Sequence, residues 1–265
     1  MFNRPWNPGH RPETLEELLL ERQRTEAERA SGDPWEPFVR LGRFLRTLGR
    51  PVPRPLLPLD EALPYLYPKV RTRLQFDRFV RYGARPTPAS RPLAGNLVVS
   101  LVLDFRQQEL DPGTEHLEAW GVDFDRLLAQ ARANLVVRSG DARFHAVGQG
   151  CFQSPWQDDL DGSRILLPGL LDHVPVKGDP VVLALRRDLL LVAGSGDPEG
   201  LAWALGTELQ SLRQDDRAGN ATPLRYHHHH WEPLELPGDH PAADLLATLA
   251  VLRRREDEAA ACLAA

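Results

Sequence analysis

The stretch GDPVVLALRRDLLLVAGSGDP, Gly178 to Pro198, decides the fold class. It holds two runs of branched and leucine residues, VVLAL and LLLVAG, parted only by Arg186, Arg187 and Asp188. Residues of this kind favour a pleated backbone, and a three-residue polar break is the length of a hairpin loop, so the spacing predicts two antiparallel strands. Immediately afterwards Asp197 stands in front of Pro198, a helix cap followed by a residue suited to the first helical position. Leu201, Leu205, Leu209 and Leu212 then repeat at the helical period.

Working outward, NLVVSLVLD (Asn96–Asp104) is a second almost unbroken β-type run and is expected to sit centrally in a sheet. HLEAWGVDFDRLLAQARANL (His116–Leu135) carries in its second half the best helix of the chain, with Asp123 as cap and Phe124, Leu127, Leu128, Ala131 and Leu135 on one face. DARFHAVGQ (Asp141–Gln149) reads as a strand, SPWQDDLDGS as a polar loop, and the segment after Pro241 as a helix using Leu245, Leu249 and Leu252. DEALPYLYPKVRTRL (Asp60–Leu74) reads as a helix-like piece interrupted by Pro64 and Pro68, and RYGARPTPASRPLAG as a turn-rich loop. Strand clusters with helices between and after them predict an α+β fold: a mixed or antiparallel sheet with packed helices.

This main domain is expected over residues 60–265. Before it, TLEELLLERQRTEAERA opens with the capping box Thr14/Glu17, and DPWEPFVRLGRFLRTLG places Phe38, Leu41, Leu45 and Leu48 at helical spacing. RPVPRPLLPLD then carries Pro51, Pro53, Pro55 and Pro58 and suits an extended connector from Arg50 to Leu59. Residues 1–50 therefore read as a helical N-terminal extension.

The order of these pieces resembles the YtpQ-like family of uncharacterised bacterial proteins. DEALPYLYPKV, VVSLVLDFRQQELDPGTEHLEAWGVDFDRLLAQARANL and GDPVVLALRRDLLLVAGSGDPEGLAW carry the resemblance, over much of residues 60–205. It implies a bacterial α+β protein and transfers no catalytic residue.

Bulk chemistry narrows the function. A chain of 265 residues with 42% hydrophobic content can bury a substantial core. A net charge of −5 argues against a general nucleic-acid binder, since phosphate recognition needs a dominant basic face. Cys151 and Cys262 stand far apart without metal-site spacing, which fits a reducing cytoplasm, and the opening MFNRPWNPGHRPE has no apolar signal region. No run approaches the roughly 18 apolar residues of a membrane span.

LRYHHHHWEPLEL (Leu224–Leu236) concentrates four of nine histidines. Pro223 and Pro233 bracket the run and disfavour a helix, so a single extended edge strand is expected. Alternation then puts Tyr226, His228, His230 and Glu232 on one face and His227, His229 and Trp231 on the other. His228, His230 and Glu232 are the candidate metal ligands, for zinc above all. A closed shell needs three or four ligands, so His145, His116 or His240 would have to help. The plainer reading is a solvated edge. WQDDLDGS places Asp159, Asp161 and Gly162 in calcium-loop register but has Gln157 and Pro168 where the first and twelfth ligands belong, so an acidic turn capping the next segment is expected. Cys151 with His145 offers the residue types of a nucleophile and base and nothing more, a small buried hydrophobe being the plainer reading of Cys151, and Gly194-Ser195-Gly196 lacks the rest of a phosphate loop. The leading expectation is a non-enzymatic cytoplasmic module that binds another protein, in an immunity-like or chaperone-like role. The alternative is a metal-dependent hydrolase or metal-responsive protein using His227 to His230.

Overall fold

The structure is a computed structural model that describes residues 57–81, 87–105, 109–186, 188–214 and 221–262. The predicted N-terminal extension and residues 50–56 of the proline-rich connector lie outside the described residues.

Two antiparallel sheets and their helices make up the α+β fold expected from the sequence. The first sheet has the order β1 (Leu66–Thr72), β3 (Leu97–Asp104), β2 (Ser90–Pro92), with the short β4 (Glu109–Leu110) also paired to β3. The second contains β5 (His145–Gly148), β6 (Cys151–Gln153), β7 (Pro180–Arg186), β8 (Leu189–Gly194), β9 (Leu224–His227) and β10 (His230–Pro233), in the order β10-β9-β7-β8-β6-β5. β7 and β8 form the predicted hairpin, closing with Arg186 opposite Leu189, and β3 is central as its apolar run requires.

The alternation of β7 and β8 explains their composition. Val182, Leu190 and Val192 join a core shared with Leu97, Val99, Leu101 and Leu103 of β3 and with Phe124, Leu127 and Ala131 of the long helix. Val181, Leu183, Leu191 and Ala193 enter a second core with Leu201, Leu205, Leu209 and Leu212, and with Leu249 and Leu252 of the last helix. Both faces of the hairpin are buried, so neither can carry polar residues.

The helices in chain order are α1 (Leu59–Ala62), α2 (Arg73–Arg81), α3 (Thr114–Trp120), α4 (Phe124–Ser139), α5 (Pro168–Leu171), α6 (Pro198–Gln214) and α7 (Ala243–Cys262). The caps follow the sequence reading: Asp123 Oδ1 accepts from the Arg126 N–H at 2.8 Å, and Asp197 Oδ1 from the Gly200 N–H at 3.1 Å. α3 takes up the first half of the predicted HLEAW segment and stops at Gly121, whose φ of 65° lets the chain turn into α4.

Three expectations need correction. Asp60–Leu74 is mainly not helical: after α1 and a 3₁₀ turn at Leu63–Tyr65, the chain becomes the edge strand β1 with Pro68 inside it. The Val70 N–H donates away from β3, to Ser163 Oγ at 3.0 Å, so Pro68, two residues earlier, falls where no ladder donor is needed. The turn-rich loop contains β2, paired to Val98–Ser100. Leu128 is only half-buried against the core, whereas Phe124 and Leu127 are buried.

Candidate functional site

The four histidines form the end of a hairpin rather than one extended strand. His228 and His229 are the two central turn residues, with φ of 46° and 65°, and the chain reverses through them. Positive φ at both positions is the requirement of the tight turn whose twist matches paired strands. The reversal sets His227 opposite His230, Tyr226 opposite Trp231 and Arg225 opposite Glu232. The predicted face shared by His228, His230 and Glu232 therefore does not exist, because the turn removes His228 from the alternation. The edge position holds only for the second half of the run: β10 is the last strand of the second sheet, whereas β9 lies between it and β7.

Each hairpin face has its own work. Tyr226 and Trp231 touch with ring centroids 4.9 Å apart, and Trp231 Nε1 donates to the Ile165 carbonyl at 3.0 Å, which anchors that face to the core. The opposite face carries Arg225, His227, His230 and Glu232. Arg225 donates to Glu232 Oε1 through Nε at 2.8 Å and Nη2 at 2.5 Å. This hydrogen bond, with the positive charges around it, holds the Glu232 carboxyl below its ordinary range. β9 also pairs with β7, Val181 opposite Arg225 and Val182 opposite Leu224. Asp179 Oδ2 lies 2.7 Å from His227 Nδ1. His230 Nδ1 is 3.1 Å from the His228 carbonyl, and its Nε2 is 3.6 Å from Glu232 Oε2.

The helpers proposed from sequence lie elsewhere. His145 begins β5, the opposite edge of the same sheet. His116 Nδ1 accepts from the Gly113 N–H at 3.0 Å, and His240 Nδ1 from the Ala242 N–H at 3.1 Å, so both serve local turns. Among the described residues no three His, Cys, Asp or Glu side chains are gathered as a metal shell.

The acidic loop is an arginine clamp. Arg164, fully buried, donates to Asp158 with Nη1 to Oδ1 at 2.7 Å and Nη2 to Oδ2 at 3.0 Å, and its Nε donates to Ser139 Oγ at 2.9 Å. Arg138 adds bonds to Asp158 Oδ2 at 2.9 Å and Asp104 Oδ2 at 2.5 Å, while Trp156 stacks 4.1 Å from the Arg164 guanidinium. Burial alone would raise the Asp158 carboxyl, but the Arg164 bonds and both arginine charges outweigh it and hold it low. Of the residues in calcium-loop register, Asp161 is wholly buried with its Oδ2 accepting from the Asp158 N–H at 3.1 Å, which makes it a brace of this turn.

Cys151 is buried and its thiol is pushed up to about 12 by that burial, while His145 is exposed; the two do not make a nucleophile and base. Ser195 Oγ accepts from the Asp179 N–H at 2.9 Å, giving the Gly194-Ser195-Gly196 loop a bracing role.

One surface was not legible in the sequence. Tyr65 and Val137 are 44% and 81% exposed. Asn134 of α4 donates to the carbonyls of Leu63 and Leu66 at 2.7 and 2.8 Å, on either side of Tyr65, and Val137 follows Asn134 by one turn on the same helix face. Phe105 packs beside Tyr65, its ring centroid 5.0 Å from that of Tyr65. The chain matches no protein-family model, and no curated protein or solved structure matches it.

Proposed function

We propose that this chain is a cytoplasmic bacterial protein, akin to the YtpQ-like proteins it resembles, that works by binding another protein through the Tyr65, Phe105 and Val137 surface. The observation that carries this reading is the exposure of Tyr65 and Val137 on two elements that Asn134 ties together. α4 is capped at Asp123, packed through Phe124 and Leu127 and tied to the Leu63–Leu66 turn, so little freedom is lost when a partner covers it. Aromatic and apolar side chains in such a setting are the usual anchors of protein interfaces. A partner carrying nucleic acid chemistry suits the chain less well. Arg71, Arg138, Arg164 and Arg225 are all engaged by carboxylates, and the net charge is −5. Among the described residues no helix is long and apolar enough to cross a membrane.

A photo-cross-linking residue at position 137, with a control at exposed position 126 on the same helix, tests the reading in native cells. A discrete protein adduct from position 137 alone, lost when Tyr65→Ala is added, is the expected result. Equal adducts from both positions, or none from 137, would overturn it.

A further inference from the structure

We infer that residues 34–48 dock on the outer face of the first sheet and there complete a fourth hydrophobic core. Their spacing reads as a helix with Phe38, Leu41, Leu45 and Leu48 on one side, and they lie outside the described residues. The face itself is set by β3. Val99, Leu101 and Leu103 enter the first core, so Val98, Ser100 and Val102 stand on the other side, paired across the ladder with Arg71, Lys69 and Tyr67 of β1. Val98 and Val102 are 1% and 0% exposed, and Leu74 and Phe76 of α2, which follows β1, are 8% and 6% exposed. Among the described residues these four are the only buried apolar side chains that belong to none of the three cores. The rest of their core comes from elsewhere in the chain.

The polar groups on the same face need the same cover. Lys69, 1% exposed, donates to Glu109 Oε1 at 2.7 Å, while Arg71 donates to Ser100 Oγ and, at 2.9 Å, to Asp111 Oδ1. Burial raises the Asp111 carboxyl above its ordinary 3.8, against the pull of Arg71. A lysine so fully withdrawn from water is enclosed on every side, which a bare sheet surface does not provide. The choice of segment follows from composition and reach. The other undescribed stretches, 82–86, 106–108, 187, 215–220 and 263–265, are too short to present an apolar stripe. Of the two helical patterns ahead of Leu57, residues 14–30 have a stripe only at Leu15, Leu18 and Leu19, whereas residues 34–48 carry one throughout and place Arg40, Arg43 and Arg46 on the opposite side. Phe38 to Leu48 covers about 15 Å along a helix, and Val98 to Val102 about 13 Å along a strand. Residues 49–56 can stretch about 25–30 Å, and the described chain begins at Leu57, directly ahead of α1 and of β1, the strand beside β3. This docking is independent of the Tyr65–Val137 surface.

Methyl nuclear Overhauser spectra of the unsubstituted full-length protein are the direct test. Contacts from the Val98 and Val102 methyls to those of Leu41 and Leu45 are expected, and their absence would overturn the docking. A second reading uses Val102→Cys with mass-spectrometric mapping of iodoacetamide labelling, in which buried Cys151 reports that the fold is intact. The thiol introduced at position 102 should resist labelling. Adding Leu41→Asp and Leu45→Asp should speed its labelling by about 10-fold or more, through local opening, while Cys151 stays unmodified. Equal rates with and without the two substitutions, fast or slow, contradict the proposal; should Cys151 label as well, the methyl contacts alone decide.

Discussion

Arg164 and Asp158 are joined through both terminal guanidinium nitrogens and both carboxylate oxygens, at 2.7 and 3.0 Å, with Arg164 wholly removed from solvent. This pair ties the 3₁₀ segment Asp161–Leu166 to the C-terminal end of α4 through Ser139 and Arg138. Breaking a buried pair from one side strands the other charge, so Asp158→Ala should cost about 3–5 kcal/mol in urea unfolding. The pH dependence has a definite sign. Because the Asp158 carboxyl is held below its ordinary 3.8 when folded, its stabilisation is present above that value and is lost as pH falls through the lower folded value. The gap between the protein and Asp158→Ala should therefore narrow between pH 6 and pH 3; a constant gap would show that the carboxylate charge is not what matters.

His116 gives a second pH signature. Its Nδ1 accepts from the Gly113 N–H at the start of α3, so the ring must be neutral with its proton on Nε2, and burial lowers it from 6.5. A base held low in the folded state contributes stability above its unfolded value, and that contribution fades as pH drops below 6.5. NMR titration should find His116 below that value, and His116→Ala should cost about 1 kcal/mol, the usual worth of a cap. A His116 that titrates above 6.5 would contradict the assignment.

Neighbouring leucines of α4 should separate in denaturation experiments. Leu127 is buried at 1% exposure and meets the shared core, so Leu127→Ala should cost about 2–5 kcal/mol. Leu128 lies at the margin, and Leu128→Ala should cost about 1 kcal/mol, since less apolar surface is withdrawn from water. Equal losses would contradict the orientation of the helix.

Cys151 should resist alkylation. With the thiol buried and pushed up to about 12, almost no thiolate exists at pH 8, and mass-spectrometric mapping after iodoacetamide treatment of native protein should find Cys151 unmodified until denaturant is added. Rapid labelling in the native state would show an opening that the fold does not contain.

Long periodic or unbroken apolar segments were legible in the sequence because burial dictates them: β3, the β7–β8 hairpin, α4 and α6 all follow from residue spacing. β1 was missed because Pro64 and Pro68 dominate local propensity, while the reason Pro68 is tolerated, an outward donor position beside Ser163, is tertiary. The histidine hairpin was missed because the turn holds two non-glycine residues at positive φ. A signal was nevertheless present in the order Arg-Tyr-His, His-His, His-Trp-Glu, which is complementary about its centre: charge opposes charge, aromatic opposes aromatic, histidine opposes histidine. The Arg164 clamp and the Tyr65–Val137 surface join residues far apart in sequence, and no local pattern announces either.

The central structural claim is that the histidine run reverses direction at His228-His229 and thereby brings His227 to His230. A nuclear Overhauser experiment tests it most directly. Tyr226 and Trp231 are opposed just beyond the pair that flanks the two-residue turn, the position at which strands approach most closely. A strong cross-strand contact between the Tyr226 and Trp231 α-protons is predicted. Its absence, with only the sequential contacts of an uninterrupted extended strand from Tyr226 to Trp231, would contradict the hairpin.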